Sequence, residues 1–511
     1  MNVASVSKTL GVCIILINSI QVLAINSVKF DLSTLVVNGD TQFSADVTLD
    51  NISYIVDFYP IEVRDKHYQM LKQISDGNIV QVHPFGSKQY LGRFQNKSNR
   101  AHILLSAIAE GWQISVVQED SISNFVISTR LKANSTAKWR QKSTSSPKLM
   151  TNPDSVSIDK SLPLGESDTQ YYTEPNRVNS CMIKEVELAL DCDYSCYQYF
   201  NQDENQIAAM ADELMLKMNA LYLRDLRLGF KLTTLLVRTS ADEDPYNSIT
   251  DQGAVLSKLA TDWESATDRG NYDLAALIQN RFNGAGIAYL GSVCSPYRYS
   301  ANSITLDNGD PFVVMRHEIG HNLGSDHYEG GSPEGTTIMS GNSINRISGP
   351  EVDAMLTNYN AQCLAEVSPP SGSIYPYAKY DSLELDKPDT VLLTPLNNDY
   401  DANCDQLDFD SLSTRNQLQG NATLDSMGQI RYEPPSISTE DNIYYLITDQ
   451  NGNQSEGLYK VTYKSDQPTQ PPTTSTQSPT TSKNSNGGCT ASLLFLLWCL
   501  IFHRLSRHIT E

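Results

Sequence analysis

One eleven-residue string constrains this chain more than any other segment. It reads His-Glu-Ile-Gly-His-Asn-Leu-Gly-Ser-Asp-His, and its histidines are His317, His321 and His327. On a helix, His317 and His321 are four residues apart and leave the same face, so both imidazoles can bind one ion. Gly324 permits a backbone conformation closed to other residues, and the turn that it allows brings His327 to the same ion. The string predicts a helix that ends in a sharp turn around a metal site.

The residue types in this string favour zinc chemistry. Neutral imidazole is a good zinc ligand, and three protein ligands leave a fourth position open for water. Glu318 lies beside His317 and can accept the proton of that water, whose pKa zinc lowers towards ~7, as it attacks a peptide carbonyl. Ordinary core or surface histidines are the competing explanation, but five fixed positions match by chance only about once in 10⁵ tries.

Strands alternate with helices along the chain that leads to the string. Strand-like patterns at 183–190, 228–237 and 287–290 alternate with helical periodicity at 206–221, 255–263 and 311–323. Asp310 is the expected cap of the last helix, with Pro311 at its first position. This alternation predicts an α/β domain built on a mostly parallel sheet that is covered on both faces.

The string resembles the zinc signature of the metzincins, and residues 337–341, Thr-Ile-Met-Ser-Gly, resemble their Met-turn with Met339 beneath the metal. Within metzincins, residues 178–365 look most like the reprolysin (adamalysin) branch, although reprolysins usually place Asp where this chain has Tyr328. The resemblance implies a substrate-binding upper edge strand that pairs with extended peptides. That strand consists of Gly286, Ile287, Ala288, Tyr289 and Leu290.

The reprolysin resemblance also implies a disulfide between Cys294 and Cys363. Cys181, Cys192 and Cys196 then leave one thiol over, for which Cys404 is a candidate partner.

Changes in residue composition and hydrophobic pattern along the chain predict six segments. Residues 1–24 are typical of a cleaved signal peptide, because a lysine precedes an apolar run that ends in Val-Leu-Ala. Residues 25–175 are expected to form a β-rich pro-segment, 176–366 the protease domain and 367–465 an all-β sandwich. Residues 466–487 form a Pro/Thr/Ser-rich stalk, and 488–511 a hydrophobic C-terminal anchor signal.

The pro-segment contains no cysteine, since none lies between Ile25 and Ser180. It therefore has no thiolate to offer to zinc, and inhibition by occupying the cleft is expected instead. Its segment 125–153 carries six basic residues and no acid, which fits either a linker open to trypsin-like proteases or a solvated basic loop.

The C-terminal sandwich resembles cadherin-like or immunoglobulin-like modules of bacterial surface proteins, through residues 396–405, 428–434 and 448–452. Asp399, Asp401 and Asp405 offer carboxylates to calcium as a second metal, with solvated turn acids as the alternative.

The signal-peptide segment and the glycosylation acceptors favour an extracellular or cell-surface protein. The net charge of -21 argues against nucleic acid as a partner. Two anchors remain open: a glycosylphosphatidylinositol signal, or a membrane helix that would be short for a span. The N-x-S/T acceptors for glycosylation are Asn51, Asn96, Asn134, Asn421 and Asn453.

These observations predict a zinc endopeptidase made as a zymogen and acting on extracellular proteins or peptides. An adhesion protein that uses the protease fold as a scaffold is the alternative, and a small-molecule metallohydrolase is a third class. Inactive relatives usually lose a ligand or the base, whereas all four residues are present here.

Overall fold

The structure is a computed structural model. It describes residues 27–30, 41–84, 86, 88–95, 101–108, 111–118, 122–128, 155–156, 181–282, 285–304, 310–327, 337–340, 345–359, 363–370, 372, 374–386, 389–425, 429–437 and 439–463. The signal segment, Asn96, Asn134, the stalk and the C-terminal anchor segment lie outside these residues. Among the described helices, none has both the length and the apolar character to cross a membrane.

The N-terminal region forms an antiparallel sheet in the order β1-β2-β3-β6-β7-β8-β9. Side chains alternate between buried and exposed along β2, which is the period-two pattern of a sheet with one covered face. Val47, Val56 and Phe58 lie in the core beneath it. The strands of this region are β1 Val28–Phe30, β2 Phe43–Leu49, β3 Ile52–Ile61, β4 Arg64–Gln73, β5 Ile79–Val82, β6 Gln89–Phe94, β7 His102–Ile108, β8 Gly111–Val117 and β9 Ile122–Ser128.

The central region alternates strands and helices around a second sheet. Its elements are β10 Ser155–Val156, β11 Ile183–Cys192, α1 Tyr194–Tyr199, α2 Glu204–Leu226, β12 Leu228–Arg238, α3 Gln252–Ser265, β13 Leu274–Gln279, β14 Gly286–Tyr289, β15 Tyr299–Ser303, α4 Phe312–Asn322, α5 Gly349–Tyr359 and β16 Ala365–Val367. The strand order is β10-β14-β15-β13-β11-β12-β4-β5, with β16 also paired to β11. Pairs β11–β12, β11–β13 and β13–β15 are parallel, whereas β14 runs antiparallel to β15.

Two strands of the N-terminal region belong to this central sheet. β4 pairs in parallel with β12, and β5 follows it as the outermost strand. Met70 and Leu71 of β4 are buried, and Arg64 forms a bidentate pair with Asp212 of α2 at 2.8 and 2.7 Å. Sequence periodicity gave no indication of this insertion, because pairing between distant strands leaves no local pattern.

Local capping explains where the long helices begin and end. The Asp203 carboxylate accepts from Asn205 N and Gln206 N at the start of α2, and Asp251 accepts from Ala254 N at the start of α3. Arg227, with φ 54°, ends α2 in the left-handed conformation.

The C-terminal module consists of two small sheets, ordered β17-β23-β22-β19 and β18-β21-β20. Its core lies between them, with Leu393 and Ile430 from one sheet facing Tyr445 and Val461 from the other. Its elements are β17 Asp381–Leu385, β18 Val391–Leu393, a 3-10 helix Pro395–Asn397, β19 Leu407–Leu412, β20 Asn421–Leu424, β21 Ile430–Glu433, β22 Thr439–Asp449 and β23 Gln454–Tyr463.

Three disulfides connect the described cysteines. They join Cys181 to Cys404, Cys192 to Cys196, and Cys294 to Cys363. The first ties the C-terminal module to the residues just before β11, and the last ties the loop after β14 to the chain that follows α5.

Candidate active site

Helix α4 carries the first two histidines of the string, and every residue of this helix is buried. The helix begins one residue later than expected, with Pro311 at the cap position and Phe312 as its first residue. Asp310 nevertheless accepts a hydrogen bond from Phe312 N at 2.9 Å, so its carboxylate still binds a free backbone donor of the helix. The same carboxylate pairs with the buried Lys217 of α2, which anchors the start of α4 to its neighbour.

The end of α4 is a tight glycine turn. Gly324 has φ 109°, in the region that favours glycine. Gly324 N donates to His321 O at 2.9 Å, and Ser325 N donates to Gly320 O at 3.0 Å, the pattern of a Schellman motif. This turn reverses the chain and carries His327 back towards the helix.

The three imidazoles converge on one point. His327 Nε2 lies 3.2 Å from His317 Nε2 and 3.3 Å from His321 Nε2. Two nitrogens bound to a single tetrahedral zinc at about 2.05 Å would themselves be about 3.3 Å apart. The spacing of the donor atoms therefore fits a zinc ion.

Hydrogen bonds on the far side of two rings fix their tautomers. His317 Nδ1 lies 2.6 Å from Ile338 O, and His321 Nδ1 lies 2.8 Å from Ser325 O. Because a carbonyl oxygen can only accept, each Nδ1 carries the hydrogen and each Nε2 presents a lone pair to the centre. Rings held in this way are ready to bind a cation without rotating.

The Met-turn packs beneath the helix. A Cβ on Gly320 would overlap Met339 Sδ and come within 3.0 Å of Met355 Cε, so this position of α4 has no room for a side chain. Ile338 N donates to Arg346 O at 3.1 Å, and Thr337 donates to the buried Glu351 of α5. These contacts hold the carbonyl of Ile338 where His317 uses it.

Glu318 lies against the predicted edge strand. It is fully buried, and a Cβ on Gly286, the first residue of β14, would lie 2.6 Å from Glu318 Cγ. The carboxylate therefore faces the backbone along which an extended peptide would bind. Residues 286–289 form the strand, and Leu290 follows it.

Asn322 connects the helix to that strand, a role that no sequence pattern indicates. Its Nδ2 donates to Tyr289 O, Ser292 Oγ and Tyr299 O at 3.0, 3.0 and 3.1 Å. The backbone carbonyl oxygen of Asn322 accepts from Ser292 N at 2.8 Å. A buried amide in the middle of a metal-binding string looks like any polar residue until its partners are known.

The outer side of β14 is occupied within this chain. Ser155 and Val156 of β10 pair in parallel with Ala288 and Tyr289. Elsewhere, the acceptors Asn51 and Asn421 are exposed, whereas Asn453 is buried and donates its Nδ2 to Asp449.

Comparison with known proteins supports the reprolysin-like resemblance of the histidine string. Residues 208–328 match the metallo-peptidase family M12B, reprolysin-like, and residues 374–462 match a bacterial Ig domain. Zinc metalloproteinase-disintegrin-like atragin of Naja atra is 29% identical over 173 residues, which are 32% of this chain and 28% of atragin. Snake venom metalloproteinase fibrolase of Macrovipera lebetinus is 27% identical over 196 residues, which are 35% of this chain and 95% of fibrolase.

This chain thus spans under a third of atragin and nearly all of fibrolase. A solved structure titled "Structure of a chaperone-substrate complex" overlays on 49% of this chain and 39% of its own, with 16% identity and a TM-score of 0.29, too low to support an argument.

Proposed function

Because this chain carries a reprolysin-like metzincin metallopeptidase domain followed by an immunoglobulin-like domain, we propose that it hydrolyses peptide bonds of extracellular proteins as a zinc endopeptidase. The convergence of the three Nε2 atoms carries this proposal, with that of His327 lying 3.2 Å from His317 Nε2 and 3.3 Å from His321 Nε2. Without a cation, their lone pairs would repel one another in a largely buried space.

His317, His321 and His327 would hold the zinc ion, which supplies a Lewis acid for the scissile carbonyl and a lowered pKa for the attacking water. Glu318 accepts the proton of that water at its carboxylate and returns it to the leaving amine. Its position beside Gly286 places this proton transfer next to the bound peptide.

The backbone of β14 would bind the substrate by strand addition. Its inner side is paired with β15, which leaves its outer side for an extended peptide. In this chain Ser155 and Val156 take that side, which supports a zymogen in which the pro-segment fills the cleft without a cysteine.

The experiment that tests this function uses the mature protein and an unfolded protein substrate. Metal analysis should find one zinc per chain, a chelator should abolish cleavage, and added zinc should restore it. Zinc-free protein, or cleavage indifferent to chelation, would contradict the proposal and favour the scaffold alternative.

We place the protein outside the cell, and at its surface through the C-terminal segment. The small residues Ser485, Asn486, Gly487 and Gly488 precede the apolar run 491–502, an order typical of a lipid-anchor signal. A phosphatidylinositol-specific phospholipase should release the protein from cells. Surface protein that resists the enzyme would exclude this anchor.

A further inference from the structure

Three carboxylates of the C-terminal module lie close together, in a part of the sequence well separated from the three histidines. Asp401, Asp405 and Asp449 each present an oxygen, and these oxygens all lie within 4.8 Å of one another. Asp401 and Asp405 begin and end a turn before β19, and Asp449 ends β22. Asp401 and Asp449 are each only 3% exposed.

The contacts of these carboxylates include no cationic side chain within the described residues. Asp401 Oδ1 accepts from Asn403 N at 2.7 Å and from Asp405 N at 3.3 Å. Asp405 accepts from the side chains of Gln450 and Asn451, and Asp449 accepts from the backbone and side chain of Asn453. Amide donors of this kind orient carboxylates but leave their charges uncompensated.

One oxygen of the cluster has no hydrogen-bond partner among the residues that the structure describes. This atom, Asp401 Oδ2, is buried, whereas most buried polar atoms in proteins have at least one partner. Burial, together with the charges of Asp405 and Asp449, raises the pKa of Asp401 to about 7. A buried acceptor beside two further carboxylates is suited to bind a cation.

We propose that Asp401, Asp405 and Asp449 form a calcium site in the C-terminal module. Calcium takes six to eight oxygen ligands at about 2.3–2.6 Å, so two oxygens on one calcium ion are separated by no more than about 5 Å. The spacing of 4.8 Å or less falls within that limit. Magnesium requires a tighter octahedron and keeps most of its waters, which makes calcium the better fit.

The residues differ from those that sequence spacing indicated. Asp399 points elsewhere, because its carboxylate accepts from Lys379 N at 2.8 Å and from the Tyr445 hydroxyl at 3.2 Å. Asp449, some fifty residues further along, takes its place. The hairpin turn between β22 and β23 brings Asp449 to the cluster, with Gly452 N donating to Asp449 O at 2.9 Å.

The site lies at the junction of the module with the protease domain. Cys404, between two of the ligands, is disulfide-bonded to Cys181 just before β11. Tyr400, next to Asp401, donates its hydroxyl to Asp225 O in α2. Calcium bound at this turn would therefore make the connection between the C-terminal module and the protease domain more rigid.

The test uses the full secreted chain carrying Glu318→Gln, which prevents self-cleavage. A chelating resin first removes calcium from this protein under conditions in which zinc stays bound. Titration calorimetry with calcium chloride should show one saturable site. Its dissociation constant should be about 10⁻⁴–10⁻³ M, the range found for extracellular calcium-binding modules. The melting temperature should rise with calcium and continue to rise above saturation. Magnesium at the same concentration should produce a smaller shift.

Three variants separate a calcium site from a cluster that merely shares a proton. Asp401→Asn and Asp405→Asn keep an acceptor oxygen for the turn but should weaken calcium binding at least tenfold. Without calcium, Asp401→Asn should melt no lower than the parent, because it removes one of three repelling charges. Asp408→Asn, exposed on β19 of the same module, should bind calcium normally.

If Asp401→Asn is not secreted, Asp405→Asn decides the question. Absence of binding heat and of a melting shift at 10 mM calcium (on the order of ten times the weakest dissociation constant expected) would overturn the proposal. Equal binding by the parent and both variants would place calcium elsewhere and overturn it as well. Neither the binding heat nor the melting temperature depends on zinc or on proteolysis. Failure of the calcium proposal can therefore be distinguished from failure of the proposed peptidase function.

Discussion

Glu318 lies so close to Gly286 that a side chain at position 286 would occupy the space of its carboxylate. A Cβ there would lie 2.5 Å from Glu318 Cδ and 2.6 Å from Cγ. Cβ atoms essentially never approach other atoms so closely. If the proposed function is correct, the first residue of the edge strand therefore helps to position the catalytic base.

We expect Gly286→Ala to lower kcat while zinc content stays unchanged. The added methyl group pushes the carboxylate away from the metal site, and a displacement of about 1 Å at a reacting group can reduce the rate by about 10²-fold. Steady-state kinetics and metal analysis would check this. Gly253→Ala is the matched control, because Gly253 lies in helix α3 with only Asp251 nearby. A Gly286→Ala enzyme with unchanged kcat would show that the added methyl group does not displace the Glu318 carboxylate.

Glu318→Gln and His321→Ala should separate the base from the ligands. Glutamine preserves the size of Glu318, so zinc should remain bound, but loss of the base should reduce the rate by about 10²–10⁴-fold. His321→Ala removes one of three ligands and should lose zinc as well as activity. Metal analysis of both purified variants, beside their activities, checks the pair. Undiminished proteolysis by Glu318→Gln would remove Glu318 from the mechanism.

Asn322→Ala should destabilise the protein and raise KM together. The substitution removes three buried hydrogen bonds, from Asn322 Nδ2 to Tyr289 O, Ser292 Oγ and Tyr299 O, although Tyr289 O keeps the Ser292 hydroxyl as a donor. One such hydrogen bond contributes about 0.5–1.5 kcal/mol to stability. The substitution also frees the end of β14, on which the substrate would bind. Thermal unfolding and kinetics on a peptide substrate would measure both effects. A variant with lowered stability but unchanged KM would limit Asn322 to a structural role.

The convergence of the three histidines was predictable, because the sequence information for it is local. His317, Glu318, His321, Gly324 and His327 predict a helix, a turn and three converging rings, and the reprolysin-like match over residues 208–328 includes them. The contacts of Asn322 and the place of Gly286 beside Glu318 were not predictable, because they join residues between 23 and 33 positions apart. Likewise, nothing local in β4 indicates that it pairs with β12. Such pairings depend on the assembled sheet, which a single sequence does not display.

Thiol-modifying mercurials should leave the precursor inactive. No cysteine lies between Ile25 and Ser180, so the pro-segment has no thiolate to be displaced from zinc. The precursor would be treated with a mercurial and assayed on a quenched peptide, with limited proteolysis as the positive control. Rapid activation by the mercurial would mean that a cysteine from elsewhere reaches the metal.

The activating cut should fall after Val156 rather than in the basic segment before it. β10 covers the edge strand, and the chain continues from it to Cys181 at the start of the protease domain. A cut among the basic residues of 130–148 leaves β10 covalently joined to the protease domain, whereas a cut after Lys160 or Arg177 separates them.

Limited trypsin digestion with mass analysis should therefore show activity rising with cleavage at Lys160 or Arg177. The double variant Lys160→Gln/Arg177→Gln should be cut but remain inactive, whereas the matched Arg140→Gln/Lys142→Gln should activate like the wild type. The N-terminal fragment should copurify after cleavage, because β4 is paired with β12 and Arg64 with Asp212. Full activity after a cut at 130–148 alone would show that β10 does not block the cleft.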